Sequence, residues 1–335
     1  MPSGKKLPFV SIIVPFKKDY PWVRECVKYC NALDYPKNKY EIILLPDVKI
    51  NMKDFPDCKI IVTGVVNHSA KRNAGMRASK ADLFAFIDSD AYPEKSWLKN
   101  AVKYADDKSI GAFGGPNLTP HNANLMERIS GYVLANTIAA GNIAVRYRID
   151  KTQEAPMVPS CNMFISRSAA EELKNEKGHL WDEKALAYED QKICYELRDL
   201  GKRIMYVSDA VVYHHRREMF LPHMEQMWNY ARDEASLMKE RMKFDRVIVM
   251  MPALFTLWLA FGWLVPLLNA LYLPTILLYF IAIAVSSIAQ SPAQSPLIFL
   301  GIFLTHIAYG LGFLRGLLLP KVEFSAEFRR ITYNK

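Results

Sequence analysis

An α/β domain built on a mostly parallel sheet, followed by an α-helical transmembrane domain, is what this sequence predicts. Short apolar runs alternate with segments of helical apolar spacing through the first hundred residues. That is the pattern of a parallel sheet with helices on both faces. Acidic residues gather just after several of those runs. Charge then disappears: nearly all of it lies before Arg246, and residues 247–320 are almost uncharged.

Phe9-Val10-Ser11-Ile12-Ile13-Val14-Pro15 is a compact apolar run ending at a proline, as a strand buried on both faces does. Residues 21–33 carry Val23, Val27 and Cys30 at helical spacing. Tyr40-Glu41-Ile42-Ile43-Leu44-Leu45 is a second buried strand, ending at Pro46-Asp47, and Lys59-Ile60-Ile61-Val62 is a third. Residues 69–80 read as a helix with Ala70, Ala74 and Ala78 on one side. Leu83-Phe84-Ala85-Phe86-Ile87 is a fourth strand, ending at Asp88-Ser89-Asp90, and residues 97–104 form a further helix. Such sheets bind ligands beyond the carboxyl ends of their strands. Asp19, Asp47 and Asp88-Ser89-Asp90 all fall there. No GxGxxG or GxxxxGK[ST] loop occurs, which turns the reading away from a dinucleotide fold and a P-loop.

The chain divides on this pattern into a catalytic domain at 1–216, an amphipathic segment at 217–246, apolar segments at 247–320 and a basic tail at 321–335. In the amphipathic segment Met224, Met227, Trp228 and Met238 mix with Arg232, Lys239, Arg241 and Lys243. Two readings of it stand: a helix in the bilayer interface, or one packed on its own domain. Three apolar stretches follow, at about 247–268, 271–289 and 297–319, each near the ~20 residues that span a bilayer. Pro252, Pro266 and Pro274 are expected to kink or end them. Three crossings would put the C-terminus opposite the enzyme, yet Arg315, Lys321, Arg329 and Arg330 favour the cytoplasm. One stretch is then re-entrant or interfacial.

The net charge of +9 belongs to a domain tethered to a bilayer. Anionic headgroups and the phosphates of a small ligand account for it, and no nucleic acid is expected as a partner. Five cysteines, an odd number with no CxxC pair, read as free thiols in a reducing compartment. The short basic N-terminus lacks the apolar region of a signal peptide. An integral membrane protein with its catalytic domain on the cytoplasmic face is therefore expected.

Three clusters carry chemistry. Two carboxylates separated by one residue, Asp88 and Asp90, point the same way on extended chain. A hard cation, Mn²⁺ or Mg²⁺, takes carboxylate and phosphate oxygens together; an acidic turn is the plainer alternative. Glu189-Asp190 precedes a helix at 191–201. One carboxylate there is explained by the helix dipole, and Asp190 is also placed to act as a general base. Val211-Val212-Tyr213-His214-His215-Arg216-Arg217 ends a strand in histidines and arginines. Adjacent strand residues face opposite ways, so one histidine at most is a metal ligand, while arginine suits pyrophosphate.

These runs occur in a telling order: Val10 to Pro15, Glu41-Ile42-Ile43 with Asp47, Lys71-Arg72-Asn73-Ala74-Gly75, Phe86-Ile87-Asp88-Ser89-Asp90, Glu189-Asp190 and Val212-Tyr213-His214. Over roughly residues 8–232 the chain resembles family 2 glycosyltransferases of the GT-A fold. Gly114-Gly115-Pro116-Asn117 is similar to a stretch of the succinoglycan-type exopolysaccharide branch. The resemblance implies that Asp19, Asp47, Arg72, Asn73 and Asp88 bind the nucleotide-sugar. It implies that Asp90 and His214 hold the metal, that Asp190 is the base of an inverting transfer, and that Asn162 and Glu189 lie on the acceptor side. Pro46-Asp47 replaces the family's Asp-Asp, and Lys17-Lys18 its Tyr-Asn. The QxxRW motif of processive synthases is missing around Gln226 to Arg232. The expectation is single-sugar transfer from a nucleotide-sugar, a UDP-sugar first, to a lipid-linked acceptor, a polyprenyl phosphate or diphosphate. A metal-dependent nucleotidyl- or phosphotransferase and a non-catalytic membrane scaffold are the alternatives.

Overall fold

The computed structural model describes residues 7–184, 188–240 and 249–319. The basic tail at 321–335 and residues 241–248 of the amphipathic segment lie outside them. The chain packs as two units.

Among the described residues unit 1 comprises 7–118 and Arg148–His214. Its strands in chain order are β1 (Val10–Pro15), β2 (Tyr40–Leu45), β3 (Cys58–Ile60), β4 (Leu83–Phe86), β5 (Ala91–Pro93), β6 (Ile110–Gly114), β7 (Asn117–Leu118), β8 (Gln153–Glu154), β9 (Met163–Ser166), β10 (Arg203–Tyr206) and β11 (Val212–His214). Eight form one sheet in the order β3-β2-β1-β4-β9-β6-β10-β8. Pairing is parallel from β3 through β4 and between β6 and β10. It is antiparallel where β9 meets β4 and β6, and where β8 meets β10.

Both faces of the sheet are covered, which is why its strands read as unbroken apolar runs. Val10, Ile12 and Val14 of β1 share a core with Val23, Cys26 and Cys30 of α1 (Pro21–Asn31) and with Trp97 and Leu98 of α3 (Trp97–Ala101), the helix expected at 97–104. Ile13 points the other way, into a core with Met76 of α2 (His68–Ala78), Leu173 of α6 (Arg167–Lys177) and Leu197 of α7 (Glu189–Asp199). The predicted helix at 69–80 begins earlier because Asn67 caps it, accepting from the Ala70 amide. The helix expected at 191–201 begins at Glu189, which puts Glu189 and Asp190 inside its first turn.

The run at 211–217 does not join the main sheet. β11 pairs antiparallel with β5 and parallel with β7 in a small three-stranded sheet. Its register sets His214 opposite Ala91, the residue after Asp90.

Unit 2 comprises Thr119–Tyr147 and His215–Val322. By packing, residues 119–147 belong with the C-terminal helices, whereas the division read from sequence put them in the catalytic domain. They form α4 (Leu125–Ala135), α5 (Thr137–Ala140) and a 3₁₀ helix at Gly141–Tyr147. The later helices are α8 (Leu221–Glu240), α9 (Met251–Phe261), α10 (Asn269–Gln290) and α11 (Ser295–Leu318). Two segments, Pro266–Gln290 and Pro292–Leu318, are long and apolar enough to cross a membrane. The first of the three expected stretches forms only a shorter apolar helix, Met251–Leu264. Pro266 opens a separate 3₁₀ turn after it, so the backbone does not run on. Ala231, Ala235 and Met238 of α8 pack with Phe313 of α11, so this face of the amphipathic segment is taken by protein.

Candidate active site

β4 delivers the chain to Asp88-Ser89-Asp90, and β5 starts at once behind it. His214 Nε2 lies 3.1 Å from an Asp90 carboxylate oxygen. One ligand atom each from Asp88, Asp90 and His214 falls within 4.8 Å of the others, all three side chains being half-buried. Two carboxylates and an imidazole this close, none fully buried, fit a divalent cation that takes further oxygens from a substrate. His215, the other histidine, has its Nδ1 3.8 Å from Glu127 within unit 2. Strand alternation thus assigns His214 and not His215 to the cluster.

Burial pushes the Asp88 carboxyl up; Arg72 opposes this and the Asp90 charge adds to it. Burial works against a charged His214 ring, but Asp90 and Cys161 raise it to about 10.

Arg72 organises the centre of the site. From α2 it donates to Glu189 at 2.9 Å, to Ser160 Oγ at 2.9 Å and to Asp88 at 3.3 Å. Its guanidinium also lies 4.8 Å from the Trp181 ring centroid, a cation–π contact. Burial opposes its charge, and Glu189 and Asp88 outweigh that. Ser160 links this network to the expected base, since its backbone amide donates to Asp190 at 3.3 Å. The other Asp190 oxygen accepts from the Gln191 amide of its own helix at 2.8 Å. Asp88, Arg72, Ser160 and Asp190 are therefore joined by direct contacts.

The remaining expected residues sit differently. Asp47 is buried against Lys71, 2.6 Å away, and Lys71 also donates to the Phe16 carbonyl. Burial lowers the Lys71 ammonium, with Asp47 opposing. Asp19 is in a surface cluster with Arg24, which also holds Asp54 at 2.8 Å. No contact ties Asp19 to the network above among the described residues. Asn73 is buried and clamps a loop: it donates to the Trp181 carbonyl and Glu183 and accepts from the Trp181 amide. It positions Trp181 under Arg72.

Two residues expected on the acceptor side are buried and bonded to the scaffold. Asn162 is fully buried. It accepts from the Trp97 indole at 2.8 Å and donates to the carbonyls of Pro116 and Ala210 at 3.0 and 2.8 Å. It is a structural clamp with no exposed surface. Glu189 turns inward onto Arg72, and burial pushes its carboxyl up to about 7 despite that partner. The first turn of a helix sends consecutive side chains in different directions, so Glu189 meets Arg72 while Asp190 meets the Ser160 amide.

Gly114-Gly115 has a packing reason within the same region. A Cβ on Gly114 would stand 1.9 Å from the Asn162 carbonyl oxygen, and one on Gly115 2.0 Å from that of Ala210. Only glycine lets three backbone segments meet there. Lys71, Ser160 and Trp181 were not singled out from sequence. Lys71 and Ser160 stand only within longer runs, Lys71-Arg72-Asn73 and Pro159 to Phe164, the second expected to shape the acceptor side, whereas Trp181 lies in an irregular loop 108 residues from its partner Asn73, with no local pattern to mark it.

A mixed sheet with a carboxylate pair after its fourth strand, faced by an imidazole, defines a GT-A-type glycosyltransferase fold. Residues 11–174 match Glycosyl transferase family 2, and the chain is a glycosyltransferase with a domain of that family. It is similar to Glycosyltransferase AglE of Haloferax volcanii, 23% identical over 272 residues, covering 77% of this chain and 82% of that protein. It also aligns with a dolichyl N-acetyl-α-D-glucosaminyl phosphate 3-β-D-2,3-diacetamido-2,3-dideoxy-β-D-glucuronosyltransferase of Methanococcus voltae, 25% identical over 151 residues. That match covers 40% of this chain and 46% of the relative, so the chain spans less than half of it. Among solved structures, the mannosyltransferase PcManGT of Pyrobaculum calidifontis, in complex with GDP-Man and Mn²⁺, superposes with a TM-score of 0.58. The identity is 18%, over 95% of this chain and 89% of that one, a likeness of fold.

Proposed function

We propose that the protein transfers a single sugar, with inversion, from a nucleotide-sugar to a lipid-linked acceptor at a membrane. One observation carries this: Asp88, Asp90 and His214 converge within 4.8 Å, and Arg72 and Ser160 tie Asp88 to Asp190. A cation site and a positioned carboxylate are what displacement at an anomeric carbon asks of a protein.

Asp88, Asp90 and His214 are the residues that would hold Mn²⁺ or Mg²⁺. Such an ion, when bound, offsets the negative charge that builds on a departing nucleoside diphosphate. Arg72 holds Asp88 in register and fixes Ser160. The Ser160 amide and the amide of Gln191 hold the Asp190 carboxylate by one oxygen each. Each oxygen keeps further lone pairs, so Asp190 accepts the hydroxyl proton as the acceptor oxygen bonds to the anomeric carbon. The bond from that carbon to the diphosphate breaks on the opposite face, and the nucleoside diphosphate leaves with the electron pair. Asp47, paired with Lys71 at the end of β2, belongs to the nucleotide side of this reading.

The lipid-linked acceptor is supported by the two segments of unit 2 long and apolar enough to span a bilayer, and by the dolichyl-linked substrate in the name of the Methanococcus voltae relative. The five cysteines, all free, support a cytoplasmic catalytic unit. The test is transfer by the purified full chain from UDP-, GDP- and dTDP-sugars to polyprenyl phosphates, with and without Mn²⁺. Asp190→Asn is expected to lose at least about a hundredfold in kcat while keeping donor binding. Activity unaffected by chelation, or by Asp190→Asn, overturns the assignment.

A further inference from the structure

The cation cluster draws its three residues from two sheets. Asp88 follows β4 of the eight-stranded sheet, Asp90 immediately precedes β5, and His214 ends β11 of the small sheet. The cluster therefore closes only while β5 and β11 keep their register on each other and their place beside the larger sheet. The strands alone do this poorly. β5 and β11 have three residues each and β7 has two, and ladders so short carry few hydrogen bonds. β5 is also an edge strand, with β11 on its one paired side.

Aromatic rings add what the ladder lacks. Tyr92 of β5 and Tyr213 of β11 stand directly opposite each other in the register. Their rings stack with centroids 5.3 Å apart and 24° between the planes. Tyr29 of α1 stacks on Tyr92 as well, at 4.4 Å and 25°. A flat ring against a flat ring favours one spacing and one tilt. α1 is itself seated on the larger sheet through the buried Val23, Cys26 and Cys30, where dense packing resists drift. Tyr29 thus refers β5 to the larger sheet, and the Tyr92–Tyr213 pair refers β11 to β5. The next pair in the register is Ala91 with His214, and Asp90 is the residue before Ala91. Asn162 works from the other end, holding the carbonyls of Pro116 and Ala210 just before β7 and β11.

We propose that Tyr92, in stacking contact with both Tyr29 and Tyr213, is a positioning residue for the cation, and that the three rings together set His214 at its distance from Asp90. The rings themselves do not touch the ion. The proposal rests on the reading of Asp88, Asp90 and His214 as a cation site.

Mn²⁺ is titrated by calorimetry into the full chain in detergent, and thermal unfolding is followed without metal alongside. Tyr92→Leu keeps an apolar side chain but no ring. It is expected to weaken Mn²⁺ binding at least about tenfold, the scale on which outer partners act on a metal site. Tyr92→Phe keeps the stack and should bind Mn²⁺ within about twofold of wild type. Tyr213→Leu should match Tyr92→Leu. Tyr29, 39% exposed and outside the strand pair, should give a smaller loss as Tyr29→Leu. Tyr206 of β10, fully buried in the same unit, is the control: Tyr206→Leu should lower the melting temperature and leave Mn²⁺ affinity unchanged. Should Tyr92→Leu fail to fold, Tyr213→Leu and Tyr213→Phe decide the matter. Leucine variants at 92 and 213 that bind Mn²⁺ like wild type overturn the positioning role. Phenylalanine variants as weak as the leucine ones assign the effect to the hydroxyls and overturn it too, as does an equal loss in Tyr206→Leu, which would trace it to general destabilisation. Wild-type protein that binds neither Mn²⁺ nor Mg²⁺ sinks the cation reading itself, whereas equal binding by wild type and the leucine variants sinks the positioning role alone.

Discussion

Replacing Arg72 by methionine is expected to be among the most damaging single changes in unit 1. The side chains of Arg72 and Glu189 are 2% and 10% exposed, and they meet at 2.9 Å. Removing one partner of so buried an ion pair leaves a charge without compensation, which costs about 3–5 kcal/mol. The loss includes the Ser160 bond and the Trp181 ring contact. Replacing both partners by apolar residues of similar size is nearly neutral in such sites, so Arg72→Met with Glu189→Met should recover most of the stability. The effect also has a sign in pH. Burial already holds Glu189 up to about 7 with Arg72 present, and without Arg72 it rises further above its ordinary 4.5. A carboxyl whose folded value is raised binds a proton in the folded state, so stability falls as pH rises from 4.5 through the folded value. The Arg72→Met penalty is therefore larger at pH 8 than at pH 5. Thermal unfolding of the full chain in detergent at the two pH values reads both effects. A double variant as unstable as the single one, or a single-variant penalty below about 1 kcal/mol, would refute the pairing argument.

Four other outcomes follow from the same geometry. Gly114→Ala places a methyl 1.9 Å from a backbone oxygen that cannot swing aside, and should cost about 3 kcal/mol or more in thermal unfolding; a cost under about 1 kcal/mol contradicts the close approach. Asn162→Ala orphans the Trp97 indole and the carbonyls of Pro116 and Ala210. It should cost about 2–4 kcal/mol without raising acceptor KM in whatever protein remains folded. Asp90→Asn and His214→Ala should each weaken Mn²⁺ binding at least about tenfold by calorimetry, whereas His215→Ala should leave it unchanged. His223 is fully buried between Ser130 and Thr305, and burial lowers its ring from 6.5 to about 4. A histidine kept neutral by the fold stabilises above its unfolded value, and that stability drains away as pH falls from 6.5 to about 4; the slope should flatten in His223→Asn.

The strands of unit 1 were legible because both faces of the sheet are covered. Every residue of β1 is buried, so its sequence has no alternation to misread. Boundaries moved where a side chain outside the pattern decided them, as Asn67 does for α2. β11 was legible as a strand but not as a member of a second sheet. Its partners β5 and β7 are three and two residues long, too short to show a period. The first apolar stretch of unit 2 has the composition of a span. Composition does not register that the helix ends near Leu264 and gives way to the turn opened by Pro266.

The site shows a sharper division. Asp90 and His214 were grouped as metal ligands through the family resemblance, and Asp88 was assigned to the nucleotide-sugar; the structure adds Asp88 to the cluster and sets His215 beside Glu127. Glu189 and Asn162 carry equally suggestive side chains, yet their direction depends on partners more than 40 residues away in sequence. Glu189 is drawn inward by Arg72, and Asn162 by Trp97, Pro116 and Ala210. A polar residue beside a motif has two ways to satisfy itself, by binding a ligand or by bonding its own scaffold. Burial decides between them, since a buried polar group must find its partners within the protein. Asp190 is half-buried and satisfied differently. Its two fixed hydrogen bonds come from backbone amides, which hold the carboxylate without supplying the charge that Arg72 gives Glu189.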